Sequence, residues 1–124
     1  MTSLIFDKKA LEEWQQIDPD HWQGMVGEIL DIFLKCVNEK ILSIEQAWRK
    51  ENWKQVRECS HALKSSCGNV GAAQAHHLLH KIEATIYDGD VAQANTLLKM
   101  MRPILEESIQ AIVDYRVALK SQAA

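Results

Sequence analysis

The stretch WQGMVGEILDIFLKCVNEKILSIEQAW, residues 22–48 of the 124-residue chain, decides the fold. Its apolar residues Trp22, Val26, Ile29, Phe33, Val37, Ile41, Ile44 and Trp48 recur at steps of three or four. That spacing puts them in one stripe along a helix of about seven to eight turns. Period-2 alternation of β-branched residues is sustained nowhere, so the stripe predicts an all-helical protein.

Working outward, the upstream dipeptide Asp18-Pro19 reads as a helix start, with Asp18 capping and Pro19 at the first position, where its missing N–H is not needed. The long helix is therefore expected over residues 19–50. A short helix before it, over about 7–16, starts at Asp7 and carries Leu11 and Trp14. Downstream, Asn52 with Gln55 resembles a capping box. The helix it opens, about 53–68, has a core stripe of Val56, Cys59, Leu63 and Cys67, with Val70 just beyond. Gly68 and Gly71 bracket its end and suit a left-handed cap. A further helix at about 72–87 carries Ala75, Leu78, Leu79, Ile82 and Ile86, and Asp88-Gly89-Asp90 breaks it. Asp90 with Gln93 caps the last, at about 91–121, with Ala94, Leu97, Leu98, Met101, Leu105, Ile112, Tyr115 and Leu119 inward. Pro103 is a potential kink. Four long amphipathic helices with short connections predict an up-down four-helix bundle, with a short extra N-terminal helix over one end. The length suits a single domain spanning 1–124.

Composition narrows the function. A net charge of −3, with no long run of one sign, argues against a nucleic-acid partner, which would need a basic face. Three cysteines without a CxxC argue against a disulfide framework and for a reducing, cytoplasmic setting. Residues 1–6 are too short and polar for a signal peptide, and no stretch is apolar enough to span a bilayer. GxxxxGK[ST] and GxGxxG are both absent, so ATP-dependent kinase activity of its own is not expected.

One residue breaks the pattern of the third helix. On a wheel of about 100° per residue, His61 lies about 160° from the centre of that helix's core stripe and faces solvent. Lys54, Arg57, Lys64, Ser65 and Gly68 share its face, giving an acidic protein a local positive field. Neutral imidazole is a nucleophile, and Lys and Arg give charge-assisted hydrogen bonds to phosphoryl oxygens. Small residues at 65 and 68 leave the ring open to a bulky partner.

The segment His61-Ala62-Leu63-Lys64-Ser65-Ser66-Cys67-Gly68-Asn69-Val70-Gly71-Ala72 resembles the signature of histidine phosphotransfer (HPt) domains: His-x-Leu-Lys-Gly-Ser-Ser/Ala, three residues, Gly-Ala. His61, Leu63, Lys64, Ser66, Gly71 and Ala72 match. Ala47–Trp53 and Leu78–Glu83 are similar to flanking segments of the family. The resemblance implies that His61 takes a phosphoryl group from a receiver-domain aspartate of a hybrid sensor histidine kinase. It then passes the group to a response-regulator aspartate, with Lys64 supporting the group or the docked receiver. Arg57 and Ser65 are candidates for the same support. Lys54, Gly68, Trp14 and Ile17 are candidates for partner docking. No cofactor is expected, a divalent ion being the receiver's to supply. Ser65 stands where the family usually has Gly. A helical adaptor that docks receivers without transfer is the alternative reading. A metal site on His76 and His80, four apart with Glu83 beyond, is a third. The Met1 start and full-bundle length lean toward a free-standing protein, and a bundle of this kind is expected to be a monomer.

Overall fold

The computed structural model describes residues 4–123. Six helical segments follow in order: α1 (Lys9–Glu12), α2 (Trp14–Ile17), α3 (Trp22–Arg49), α4 (Trp53–Asn69), α5 (Ala73–Tyr87) and α6 (Val91–Ala123). No strand occurs among the described residues. The four long helices pack as a closed ring, α3 on α4, α4 on α5, α5 on α6 and α6 back on α3. The core inside the ring is the set of stripes read from the sequence: Val26, Val37, Ile41 and Ile44 from α3, Val56, Leu63 and Cys67 from α4, Leu79 and Ile82 from α5, and Met101, Leu105 and Ile112 from α6. α6 runs unbroken through Pro103, so the proline does not divide it.

Two boundaries differ from expectation. The predicted 7–16 helix is two single turns, α1 and α2, meeting at Glu13, whose φ of −59° and ψ of −27° are still helical. α3 begins at Trp22 and not at 19. Asp18 closes a turn instead, its Oδ1 accepting from the His21 N–H at 3.3 Å while its carbonyl accepts from Trp22 N–H at 3.0 Å. Proline's fixed φ serves that turn as readily as a first helical position. The other caps form as read: Asn52 Oδ1 accepts from Gln55 N–H at 3.2 Å, and Asp90 Oδ1 from Gln93 N–H at 3.1 Å.

The seam between α3 and α6 is fastened by two bidentate pairs. Arg102 grips Glu45 at 2.6 and 3.1 Å, and Arg116 grips Asp31 at 2.9 and 3.0 Å. The hydrogen bonds from their arginines hold both carboxyls below their ordinary pKa values. Gly27 makes room for Arg116: a Cβ there would stand 2.6 Å from the guanidinium.

Three connections use the left-handed backbone region, at Glu51, Gly71 and Gly89, and the first two are filled differently. Gly71 ends α4 at φ +78°. Its carbonyl accepts from the Asp7 N–H at 2.7 Å, which fastens the N-terminal segment across the α4–α5 turn. A Cβ at Gly71 would run into the Asp7 carbonyl oxygen. Gly71→Ala is therefore expected to lower unfolding free energy by about 2–4 kcal/mol, combining left-handed strain with overpacking, as read from urea denaturation. Glu51 ends α3 at φ +53° with a full side chain. A non-glycine residue there costs about 1–2 kcal/mol, of which the greater freedom of an unfolded glycine cancels part. Glu51→Gly is expected to raise stability by about 0.5–1 kcal/mol in the same measurement.

Candidate functional site

α4 carries its apolar stripe into the ring and leaves His61 outside, the side chain 61% exposed. This is the face the wheel assigned to it. What the wheel could not show is the neighbour across the groove. Glu83, one helix on, places Oε1 2.9 Å from His61 Nδ1 and Oε2 2.8 Å from Lys64 Nζ. Lys64 is only 16% exposed and Glu83 22% exposed, so the carboxylate bridges the two cations from a largely covered position.

The electrostatics follow from this geometry. Burial pushes the Glu83 carboxyl upward, but hydrogen bonds from Lys64 and His61, with the lysine's charge, outweigh it and hold the pKa below its ordinary value. Glu83 is thus an anion through the neutral range, and an anionic carboxylate can only accept. His61 Nδ1 must donate to it, so the imidazole proton resides on Nδ1. The lone pair of the neutral ring is then on Nε2, which has no hydrogen-bond partner among the described residues, on a side chain that is 61% exposed.

The other predicted residues fall into three groups. Arg57 sits one turn before His61 with its guanidinium over the Tyr87 ring, 5.5 Å from the centroid. Lys54 is exposed one turn further back. Ser65 returns its hydroxyl to the His61 carbonyl at 3.2 Å, so it hydrogen-bonds the helix backbone. Trp14 and Gly68, with Ala10, Ile29 and Asn69, line one hollow of about 480 Å³. That hollow adjoins an apolar groove of about 250 Å³ between α3 and α4, which shares Ile29 and Asn69 and includes Ile32. Ile17 is 72% exposed and lines neither.

Gly68 has a second role. A Cβ on it would stand 3.1 Å from the His76 ring, whose Nδ1 donates to the Lys64 carbonyl at 2.9 Å. His76 thereby fastens α5 to the turn of α4 that carries Lys64. Among the described residues no group of three or more His, Cys, Asp or Glu is placed to hold a metal ion. The thiols on α4 are not nucleophiles: burial raises the Cys59 pKa and pushes that of Cys67 up to about 12.

Sequence reasoning missed Glu83, His76 and Tyr87 as parts of the site, and a signal for all three existed. α4 and α5 are antiparallel neighbours around the 70–72 turn. Gly68 and His76, His61 and Glu83, and Arg57 and Tyr87 are each equidistant in sequence from Ala72. Folding the two helical patterns about that residue would have paired them.

The comparisons with known proteins come to bear on this geometry. The sequence pattern of the Hpt domain family matches residues 28–115, most of the chain. The chain belongs to that family and is a histidine phosphotransfer protein of the phosphorelay kind. The crystal structure of histidine-containing phosphotransfer protein B (HptB) from Pseudomonas aeruginosa PAO1 matches with a TM-score of 0.79, covering 92% of this chain and 96% of that one. At 19% identity this is a likeness of fold. No curated protein sequence matches the chain. No helix among the described residues is long and apolar enough to cross a membrane.

Proposed function

We propose that His61 is the phosphoryl carrier, loaded by an aspartyl phosphate on a hybrid kinase's receiver domain and unloaded onto a response regulator's aspartate. The observation that carries this reading is the Glu83–His61 hydrogen bond, which leaves a nucleophilic Nε2 facing solvent.

The chemistry follows from where the proton is held. The Nε2 lone pair attacks phosphorus, the aspartyl O–P bond breaks, and its electron pair leaves on the carboxylate oxygen. The ring, now substituted at Nε2 and still protonated at Nδ1, carries positive charge, and the Glu83 carboxylate faces it directly. In the onward step the N–P bond breaks and its electron pair returns to Nε2. Because Nδ1 keeps its proton throughout, the leaving group is neutral imidazole and not imidazolate. The same hydrogen bond therefore serves both directions. Lys64 neutralises Glu83, so the carboxylate does not repel the incoming phosphoryl group at full strength. Phosphoryl transfer is mainly positioning and charge stabilisation, and the acceptor aspartate, divalent ion and further cations belong to the receiver. The hollows around Trp14 and Gly68, with the Ile29–Ile32 groove, offer the apolar surface on which a receiver would rest.

Incubation with a phosphorylated receiver domain tests the reading. The wild-type chain is expected to gain acid-labile phosphate. Receiver binding without any transfer would identify an adaptor and overturn the carrier assignment.

A further inference from the structure

The family reading leaves open which cation meets the phosphoryl group, and the obvious candidate is already engaged. Lys64 is bonded to Glu83 at 2.8 Å and mostly covered. Arg57 differs: among the described residues it makes no ion pair with a carboxylate, and its guanidinium rests on the exposed ring of Tyr87. A cation–π contact of this kind spends no N–H donor on an oxygen acceptor, so the guanidinium keeps donors available. Arg57 is one turn before His61 on the same face of α4, so the imidazole and the guanidinium that reaches across to Tyr87 lie on neighbouring turns. Arg57, Tyr87, Lys64 and Glu83 also line one hollow of about 420 Å³ along the α4–α5 groove, with His80 and Asp88 completing its ionisable lining.

We infer that Tyr87 is a positioning residue: its ring holds the Arg57 guanidinium beside His61, so that Arg57, more than Lys64, supplies the hydrogen bonds to phosphoryl oxygens on Nε2. This rests on His61 being the carrier. It gives an exposed tyrosine on the neighbouring helix a role in the chemistry without contact with the phosphoryl group.

The test loads the full chain with phosphoramidate, in which Nε2 attacks phosphorus, the donor N–P bond breaks and ammonia leaves. A ³¹P NMR titration then follows the second ionisation of the phosphoryl group. A nearby cation lowers that midpoint, so Arg57→Gln is expected to raise it by about half a unit to one unit. Tyr87→Ala should give a smaller rise of about 0.3 units, and Tyr87→Phe, which keeps the ring, should match wild type. In the Arg57→Gln background Tyr87→Ala should add nothing. Tyr87 is 74% exposed, so its substitution leaves the fold intact. An unmoved midpoint in Tyr87→Ala, or the same shift with and without Arg57, overturns the inference. A protein-bound phosphohistidine resonance undiminished in His61→Gln would instead overturn the carrier assignment beneath it.

Discussion

A His61→Gln chain is expected to fold as the wild type does and to take up no phosphoryl group from a phosphorylated receiver. The first half follows from exposure. The side chain is 61% exposed, and its sole polar partner among the described residues is Glu83, which the glutamine amide can also approach. Substitution at such a surface position changes stability by within about 0.5 kcal/mol. The second half follows from chemistry. An amide nitrogen has no available lone pair with which to form an N–P bond. Cys67 is buried with its thiol pushed up to about 12, and the exposed imidazole of His80 in the same groove is on α5, not at the position His61 presents from α4. The expected loss is therefore of labelling altogether and not a slower rate. Acid-labile phosphate counted after incubation, with far-UV circular dichroism on the same sample, checks both halves. Equal labelling of the two chains would remove His61 from the mechanism.

Much of this site could be read before the structure, and the remainder could not, for a physical reason. The Trp22–Trp48 stripe predicted a helix because burial of one face is periodic and local in sequence, and Val26, Val37 and Ile41 are indeed sealed in the core. The exposure of His61 came from the same arithmetic. The start of α3 was misplaced because Asp18-Pro19 suits a tight turn and a helix entry about equally, and packing of Trp22 settles the choice. Glu83 was harder. Its role depends on the register of α5 against α4, which the cap at Gly71 and the contact of His76 with Gly68 set together. The charge pattern on α4 alone showed a basic face. One of that face's three cations is answered by a carboxylate from the next helix, so Lys64 is a partner of Glu83 as much as a candidate for the phosphoryl group.

That division of labour makes Glu83→Ala the most informative substitution after His61. Without the carboxylate, nothing at Nδ1 selects the tautomer whose lone pair is on Nε2, and the positive ring formed on phosphorylation loses the anion that faces it. A hydrogen bond to a charged group contributes about 1.5–3 kcal/mol, so phosphoryl uptake is expected to slow by about 10- to 100-fold. Glu83→Gln separates the two contributions. The amide oxygen can still accept from Nδ1–H and keep the tautomer, but it carries no charge and leaves Lys64 without its counterion, so a rate between alanine and wild type is expected. Lys64→Ala probes the opposite imbalance, an uncompensated Glu83 beside a doubly charged phosphoryl group, and should shift the transfer equilibrium back toward the receiver. Rapid-quench measurement of uptake in the three variants resolves these effects. A wild-type rate in Glu83→Ala would mean that the 2.9 Å contact orients nothing of consequence. Equal rates in the alanine and glutamine variants would assign the whole effect to charge and none to the tautomer.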